Sequence, residues 1–311
     1  MTAPSPARSR LEAIASQSPE LSPWLALVDI ALAEITEPTW SVATPERPSA
    51  SERPSAPERP SAPAPGAPRL AGARISISPG ILRRFLVRLF DAAARGAPPV
   101  AAAALRSAAR ADALDPLPLL EAAINHDAPR LESLSRALAL DPAALAPIAH
   151  LAATPLLQTC RRTLTSALPP PWPHGHCPIC GAWPILAESR GLDRARRLRC
   201  GRCGADWPAP PLSCAFCGER DHEKLLALQP DQSGESRKAE ACTTCHGFLK
   251  SITTLTAWPG ETVLLEDLAT IDLDIAALDR GYARPEDPGH SLNVRLVPAP
   301  EPRWSLRRLF P

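Results

Sequence analysis

The chain has 311 residues, enough for two domains, and its 45% hydrophobic but only 4% aromatic content calls for a core of Leu, Ala, Ile and Val. A formal net charge of +1 argues against the broad basic surface of a nucleic-acid binder. Met1–Arg10 carries neither an apolar export core nor a twin-arginine lead, so the nine cysteines are expected in a reducing, cytoplasmic setting and not in disulfides.

Leu11 to Ile35 reads as one or two helices, with Leu25, Val28, Leu32 and Ile35 forming a stripe for burial. From Pro45 to Pro68 the chain is low in complexity, and Arg-Pro-Ser-Ala recurs at Arg47, Arg53 and Arg59. Such a repeat has no apolar area to bury and is expected to be an extended, disordered insert. Helix resumes at Ile81–Ala94, where Ser78 is an N-cap and Pro79 the first helical residue. Leu82, Phe85, Leu86, Leu89 and Phe90 line one side, and Arg83, Arg84 and Arg88 point outward. Further helices follow over 100–114, 117–125, 131–140 and 142 to about 168, separated by Pro- and Asp-marked turns, which suggests an all-α bundle. The uncharged run Pro142–Cys160 is interrupted by Pro147, His150 and Pro155, so no membrane span is expected there. Cys160, His126 and His150 lack partners at metal spacing and are expected to be structural. Pro169 to Pro173 forms a stiff boundary.

Beyond it lie the other eight cysteines, as Cys177/Cys180, Cys200/Cys203, Cys214/Cys217 and Cys242/Cys245. A two-residue gap lets both sulfurs of a pair turn to one ion, and Gly181, Gly204 and Gly218 can take the positive φ of a tight knuckle. Two pairs make one tetrahedral site, so four pairs make two. Gaps of 19 and 24 residues within successive pairs of motifs fit zinc ribbons with sequential pairing; a nested pairing stays open. Four thiolates leave no open coordination position, so the sites are not expected to be catalytic, and no nucleophile–base set or phosphate loop suggests an enzyme. His174, His176, His222 and His246 are then surface or supporting groups. Short strands are expected at Trp183–Glu188, Arg196–Arg199, Leu225–Gln229 and Phe248–Leu255. Arg194, Arg196, Arg197, Arg199 and Arg202 form a basic cluster. Residues 177–250 carry a formal excess of two positive charges, but two tetrathiolate centres with divalent ions outweigh it, which disfavours phosphate binding. After the ribbons, Leu264, Leu268, Ile271, Ile275 and Leu278 fall on one helical face. Glu266, Asp267, Asp272, Asp274 and Asp279 are read as solvated, and Gly281 as the helix stop.

The expected organisation is therefore α+β. N-terminal helices occupy 1–37, the disordered insert 38–74 and the all-α helical domain 75–173. Two tandem metal-binding ribbons span 174–209 and 210–258, and a C-terminal helix with a loose tail spans 259–311.

The motif order adds a resemblance. Cys-Pro-Ile-Cys-Gly, Gly191-Leu192, Cys-Gly-Arg-Cys-Gly before Trp207, Cys-Ala-Phe-Cys-Gly, Ala239-Glu240-Ala241-Cys242, Phe248-Leu249-Lys250, Asp267-Leu268-Ala269-Thr270 and Gly281-Tyr282-Ala283-Arg284 together resemble the formate dehydrogenase accessory protein FdhE family. The resemblance covers about a third of the chain. It implies a non-enzymatic cytoplasmic maturation factor that meets the catalytic subunit of formate dehydrogenase before export. It also implies rubredoxin-like sites in which Cys177, Cys180, Cys200, Cys203, Cys214, Cys217, Cys242 and Cys245 hold two ions, iron or zinc. A general zinc-ribbon adaptor for nucleic acid or transcription, or a redox protein of the rubredoxin kind, are the alternatives.

Overall fold

A computed structural model describes residues 5–42, 45–46, 66–164, 172–229 and 236–299. The three Arg-Pro-Ser-Ala repeats, most of the triple-proline boundary, the loop over 230–235 and the tail from 300 onward lie outside the described residues.

The N-terminal half is helical, as its periodicity dictates: α1 (Pro6–Gln17), α2 (Ser22–Ile35), α3 (Pro79–Gly96), α4 (Pro99–Arg110), α5 (Pro116–Asn125), α6 (Ala128–Ala137) and α7 (Pro142–Leu164). Several starts are set by short polar caps, though α2 and α4 have none. Ser78 Oγ accepts from the Ile81 amide at 3.2 Å, Asp127 from Arg130 at 3.0 Å and Asp141 from Ala143 at 2.8 Å. The apolar stripe of α3 is buried, with Leu82, Phe85, Leu86, Leu89 and Phe90 packed among residues of α5 and α7. Among the described residues α7 is the one helix long and apolar enough to cross a membrane, but 67% of its apolar window is buried, and it serves here as the central core helix.

The insert expected over 38–74 is ordered at both ends. Trp40 is buried and meets Phe85 edge-on at 5.7 Å, and its indole donates to Glu34 at 2.9 Å. Past the repeats, Leu70 is buried, and the amides of Arg69 and Leu70 donate to Pro178 and Ile179 at 2.9 and 3.0 Å. Composition pointed to disorder because prolines dominate, but the apolar residues Trp40 and Leu70 at either end have a core to enter.

Two sheets follow. In the smaller, β1 (Pro45–Glu46), β2 (Arg74–Ile77) and β9 (Arg295–Pro298) lie in the order β1-β2-β9, with β2 and β9 parallel. The residues just before the tail are thus held against the helical domain. The larger has six strands, β3 (Leu186–Arg190), β4 (Ala195–Arg199), β5 (Asp206–Pro208), β6 (Leu225–Leu228), β7 (Arg237–Cys242) and β8 (Phe248–Thr254), in the order β5-β4-β3-β8-β7-β6. Each expected ribbon supplies three antiparallel strands, and the two join through the parallel pair β3–β8, with Leu186 opposite Lys250 and Arg190 opposite Thr254. The tandem ribbons are therefore halves of one sheet. The first also shares its core with the helices: Cys177, Ile179, Cys180, Leu198, Cys200 and Cys203 belong to the same apolar cluster as α3, α5 and α7.

The C-terminal helix is two short ones, α8 (Val263–Leu268) and α9 (Ile271–Leu278), broken at Ala269–Thr270. The expected stripe is not the buried one. Leu265, Leu273 and Ala277 face inward, while Ile271, Ile275 and Leu278 are 43, 55 and 57% exposed. What turns the helix is charge, because Asp274 is drawn towards a buried lysine on β8.

Candidate metal centres

Each cysteine pair sits on a knuckle closed by backbone bonds. The amides of Gly181, Gly204 and Gly218 donate to the carbonyls of Cys177, Cys200 and Cys214 at 3.0, 3.0 and 3.1 Å. In the fourth knuckle His246 occupies the corresponding place, also left-handed with φ of 55°. Further amides are aimed at sulfur, from Ile179 to Cys177 and from Phe216 to Cys214 at 3.4 Å each.

The structure gathers the sulfurs in sequential order. Cys177, Cys180, Cys200 and Cys203 form one group and Cys214, Cys217, Cys242 and Cys245 the other, with all sulfurs of a group within 4.8 Å of one another. Cys177–Cys203 and Cys180–Cys200 approach to 3.5 and 3.4 Å; Cys214–Cys245 and Cys217–Cys242 to 3.6 and 3.7 Å. A tetrahedron with metal–sulfur bonds of about 2.3 Å has edges of about 3.8 Å, so both groups fit one four-coordinate ion each. Cys160 stands apart, a buried thiol whose pKa burial pushes up to about 12, which makes it inert as a nucleophile.

The surroundings of the centres differ. All four cysteines of the first are buried. Its knuckles are clamped, since a methyl group on Gly204 would lie 2.7 Å from the Gly260 carbonyl oxygen, and the His290 amide donates to Gly181 at 3.0 Å. Arg202, inside the second knuckle, donates to the carbonyls of Ala123 and Ile124 at 2.6 and 3.2 Å and contacts His126. It thereby caps the C-terminus of α5 and ties the centre to the bundle. Burial, with Arg202 nearby, lowers the pKa of His126 to about 2 and that of His150 to about 4, so both are neutral, consistent with a structural role.

At the second centre Cys217 and Cys245 are exposed and Cys214 is half-buried. A methyl group on Gly218 would meet nothing within 4 Å. Its two knuckles are joined by Glu219. That carboxylate accepts from the amides of Arg220 and Asp221 at 2.9 and 3.0 Å and from the Thr244 hydroxyl at 2.7 Å. The Asp221 amide foremost, then Thr244 and the Arg220 amide, lower its pKa to about 2.

Beneath the second centre lies a cluster that the sequence pattern did not disclose. Lys250 is fully buried on β8, and its Nζ reaches Asp267 Oδ1 at 2.7 Å, Asp274 Oδ2 at 2.6 Å and the Asp267 carbonyl at 2.6 Å. Arg284 Nη2 donates to Asp267 and Asp274 at 2.7 Å each. Burial would raise the carboxyl pKa of Asp267, but Arg284 and Lys250 outweigh it and hold it below the usual range. Glu266 is likewise buried and paired with Arg10 at 2.7 Å. The acids read as a solvated face are thus divided: Asp272 and Asp279 are exposed, while Glu266, Asp267 and Asp274 hold ion pairs. A lysine in the apolar run Phe248–Ile252, and acids seven residues apart at Asp267 and Asp274, were the available signal. The arginine cluster is also engaged internally: Arg196 with Glu240 at 2.7 Å, Arg197 with Asp206 at 3.0 Å, and Arg199 with the fully buried Glu188.

A helical domain whose core extends into one of two four-cysteine groups, the pair joined by a single sheet, defines a protein with two sites each able to hold one metal ion. Comparison with known proteins places this class more narrowly. Residues 212–288 match the family model described as the C-terminal domain of FdhE. The FdhE homologue of Stutzerimonas stutzeri is 40% identical over 128 residues, 40% of this chain and 39% of that protein. The homologue of Haemophilus influenzae strain PittEE is 32% identical over 131 residues, 40% of each chain. The chain thus spans about two fifths of the length of these curated relatives. The crystal structure of FdhE from Pseudomonas aeruginosa superposes with a TM-score of 0.52 over 90% of this chain and 92% of that one, at 21% identity, which is a likeness of fold. The FdhE resemblance carried by the motif words is borne out.

Those words now have a physical meaning. Lys250 ends Phe-Leu-Lys, Asp267 and Thr270 bound Asp-Leu-Ala-Thr, and Arg284 ends Gly-Tyr-Ala-Arg; all meet in the one buried ion cluster. The last segment is also held to the fourth knuckle, where the Ala283 amide donates to His246 at 2.9 Å.

Proposed function

We propose that this protein is a non-enzymatic, metal-bearing accessory factor for a formate dehydrogenase, acting in the cytoplasm on the catalytic subunit before export. Cys177, Cys180, Cys200 and Cys203 would hold one ion and Cys214, Cys217, Cys242 and Cys245 the other, zinc or iron. A bound ion supplies folding free energy to a sheet with little apolar core of its own, on the order of 10 kcal/mol in comparable small sites. The chain's own groups do the rest: the knuckle amides orient the thiolates, Glu219 joins the outer knuckles, and the Lys250–Asp267–Asp274–Arg284 cluster fixes α8 and α9 against the sheet.

The observation that carries this reading is the convergence of the FdhE-like words on one buried ion cluster, tied through the Ala283 amide to the fourth knuckle of a four-sulfur group. A scaffold for another protein needs that rigidity, whereas a catalytic zinc site needs an open position. The test is co-purification with a co-expressed formate dehydrogenase catalytic subunit, together with formate dehydrogenase activity in a deletion strain. Association and lost activity are expected; no association with unchanged activity would remove the proposal.

A further inference from the structure

The two centres differ in what stands between the sulfurs and solvent. Around the first, the main core closes over every cysteine, and the knuckles are packed against Gly260, His290 and the carbonyls that end α5. Around the second, Cys217 and Cys245 reach the surface, and none of its four cysteines belongs to the main core. Cys214 and Cys242 line a cavity of about 190 Å³ together with Leu212, Phe216 and Leu226. One edge of this sulfur tetrahedron is therefore bare, and another is reached through a cleft.

From this geometry we infer that the second centre is a ligand-exchange site, open to an incoming thiolate or chelating ligand, while the first keeps its ion for as long as the chain stays folded. The inference rests on the reading that both groups hold metal. With an ion bound, an entering thiol would take the place of Cys217 or Cys245 as a ligand, its sulfur replacing theirs. The proton lost by the entering thiol goes to the departing cysteine, so the charge at the ion is unchanged. No oxidant or reductant is required. Glu219 is a positioning residue for this step, because it holds the knuckle bearing Cys217 to the one bearing Cys245 through Thr244.

The experiment uses the full chain loaded with cobalt(II), whose thiolate absorption reports both centres, and excess EDTA as the competing ligand. Two phases of equal amplitude are expected, the faster by roughly tenfold or more. Iodoacetamide present during the fast phase should label Cys214, Cys217, Cys242 and Cys245 and spare the first four, as read by mass spectrometry. Glu219→Gln keeps every cysteine and should quicken the fast phase alone. Release in a single phase, early labelling of the first group, or a Glu219→Gln effect on the slow phase would each overturn the inference. A folded chain that takes up no cobalt would instead overturn the metal reading on which it rests.

Discussion

At the first centre four buried cysteines lie in the core built by α3, α5 and α7, and Arg202 reaches from its second knuckle to the end of α5. At the second, the same kind of knuckle stands at the rim of the sheet with two cysteines exposed, braced by one surface carboxylate and, from below, by the Lys250 cluster. Similar local sequences thus make centres of different character. The knuckle decides how sulfur meets an ion; the packing around it decides what losing that ion does to the rest of the chain.

The sharpest way to break this comparison is to remove one cysteine from each centre. Cys177→Ser should reduce helicity as well as metal content, since metal coupling on the order of 10 kcal/mol is as large as the whole stability of a typical domain. Cys217→Ser should lose one ion and leave the helices intact; far-UV circular dichroism beside elemental analysis separates the two. Equal effects on helicity would erase the distinction.

Next in size is Lys250→Met, which leaves Asp267 and Asp274 with Arg284 as their remaining side-chain partner. A cost of about 3 kcal/mol is expected in denaturant unfolding, because removing one member strands buried charge. A neutral result would mean that the cluster admits water.

Acid should also act on the two buried histidines beside the first centre. His126 and His150 have folded-state pKa values well below the ordinary 6.5, so the unfolded chain binds more protons as pH falls below 6.5. Their contribution is fully present above pH 6.5 and is lost as pH falls towards about 4 for His150 and towards about 2 for His126. Unfolding free energies measured across that range, with and without His126→Asn and His150→Asn, should show a shallower slope in the double variant.

The smallest contrast lies in the glycines. Gly204→Ala and Gly218→Ala both place a side chain at positive φ, costing about 1 kcal/mol. Only at Gly204 would the new methyl also strike the backbone of Gly260, at 2.7 to 2.9 Å. The Gly204 variant should therefore melt lower than the Gly218 variant, and equal melting points would argue that the first centre is less tightly enclosed.

What could be read in advance was what is local. The Cys-x-x-Cys spacing marked both centres, and Ser78-Pro79 with the apolar stripe of α3 marked that helix, because capping and periodicity act over a few residues. The parallel pairs β3–β8 and β2–β9 join strands far apart in the chain, and short alternating segments do not specify their partners. Hence the two ribbons were legible in the sequence, but not the parallel pair that joins them into one sheet. In α9 the apolar period pointed to Ile271, Ile275 and Leu278, but the break at Ala269–Thr270 and the pull of Lys250 on Asp274 turned Leu273 and Ala277 inward. A buried charge pair prevailed over hydrophobic periodicity.

Native-state hydrogen exchange on the metal-loaded chain measures the difference between the centres most directly. Amides at Gly181 and Gly204 should exchange only through global unfolding, and those at Phe216 and Gly218 through a local opening of far lower free energy. Matching protection at all four would contradict the account.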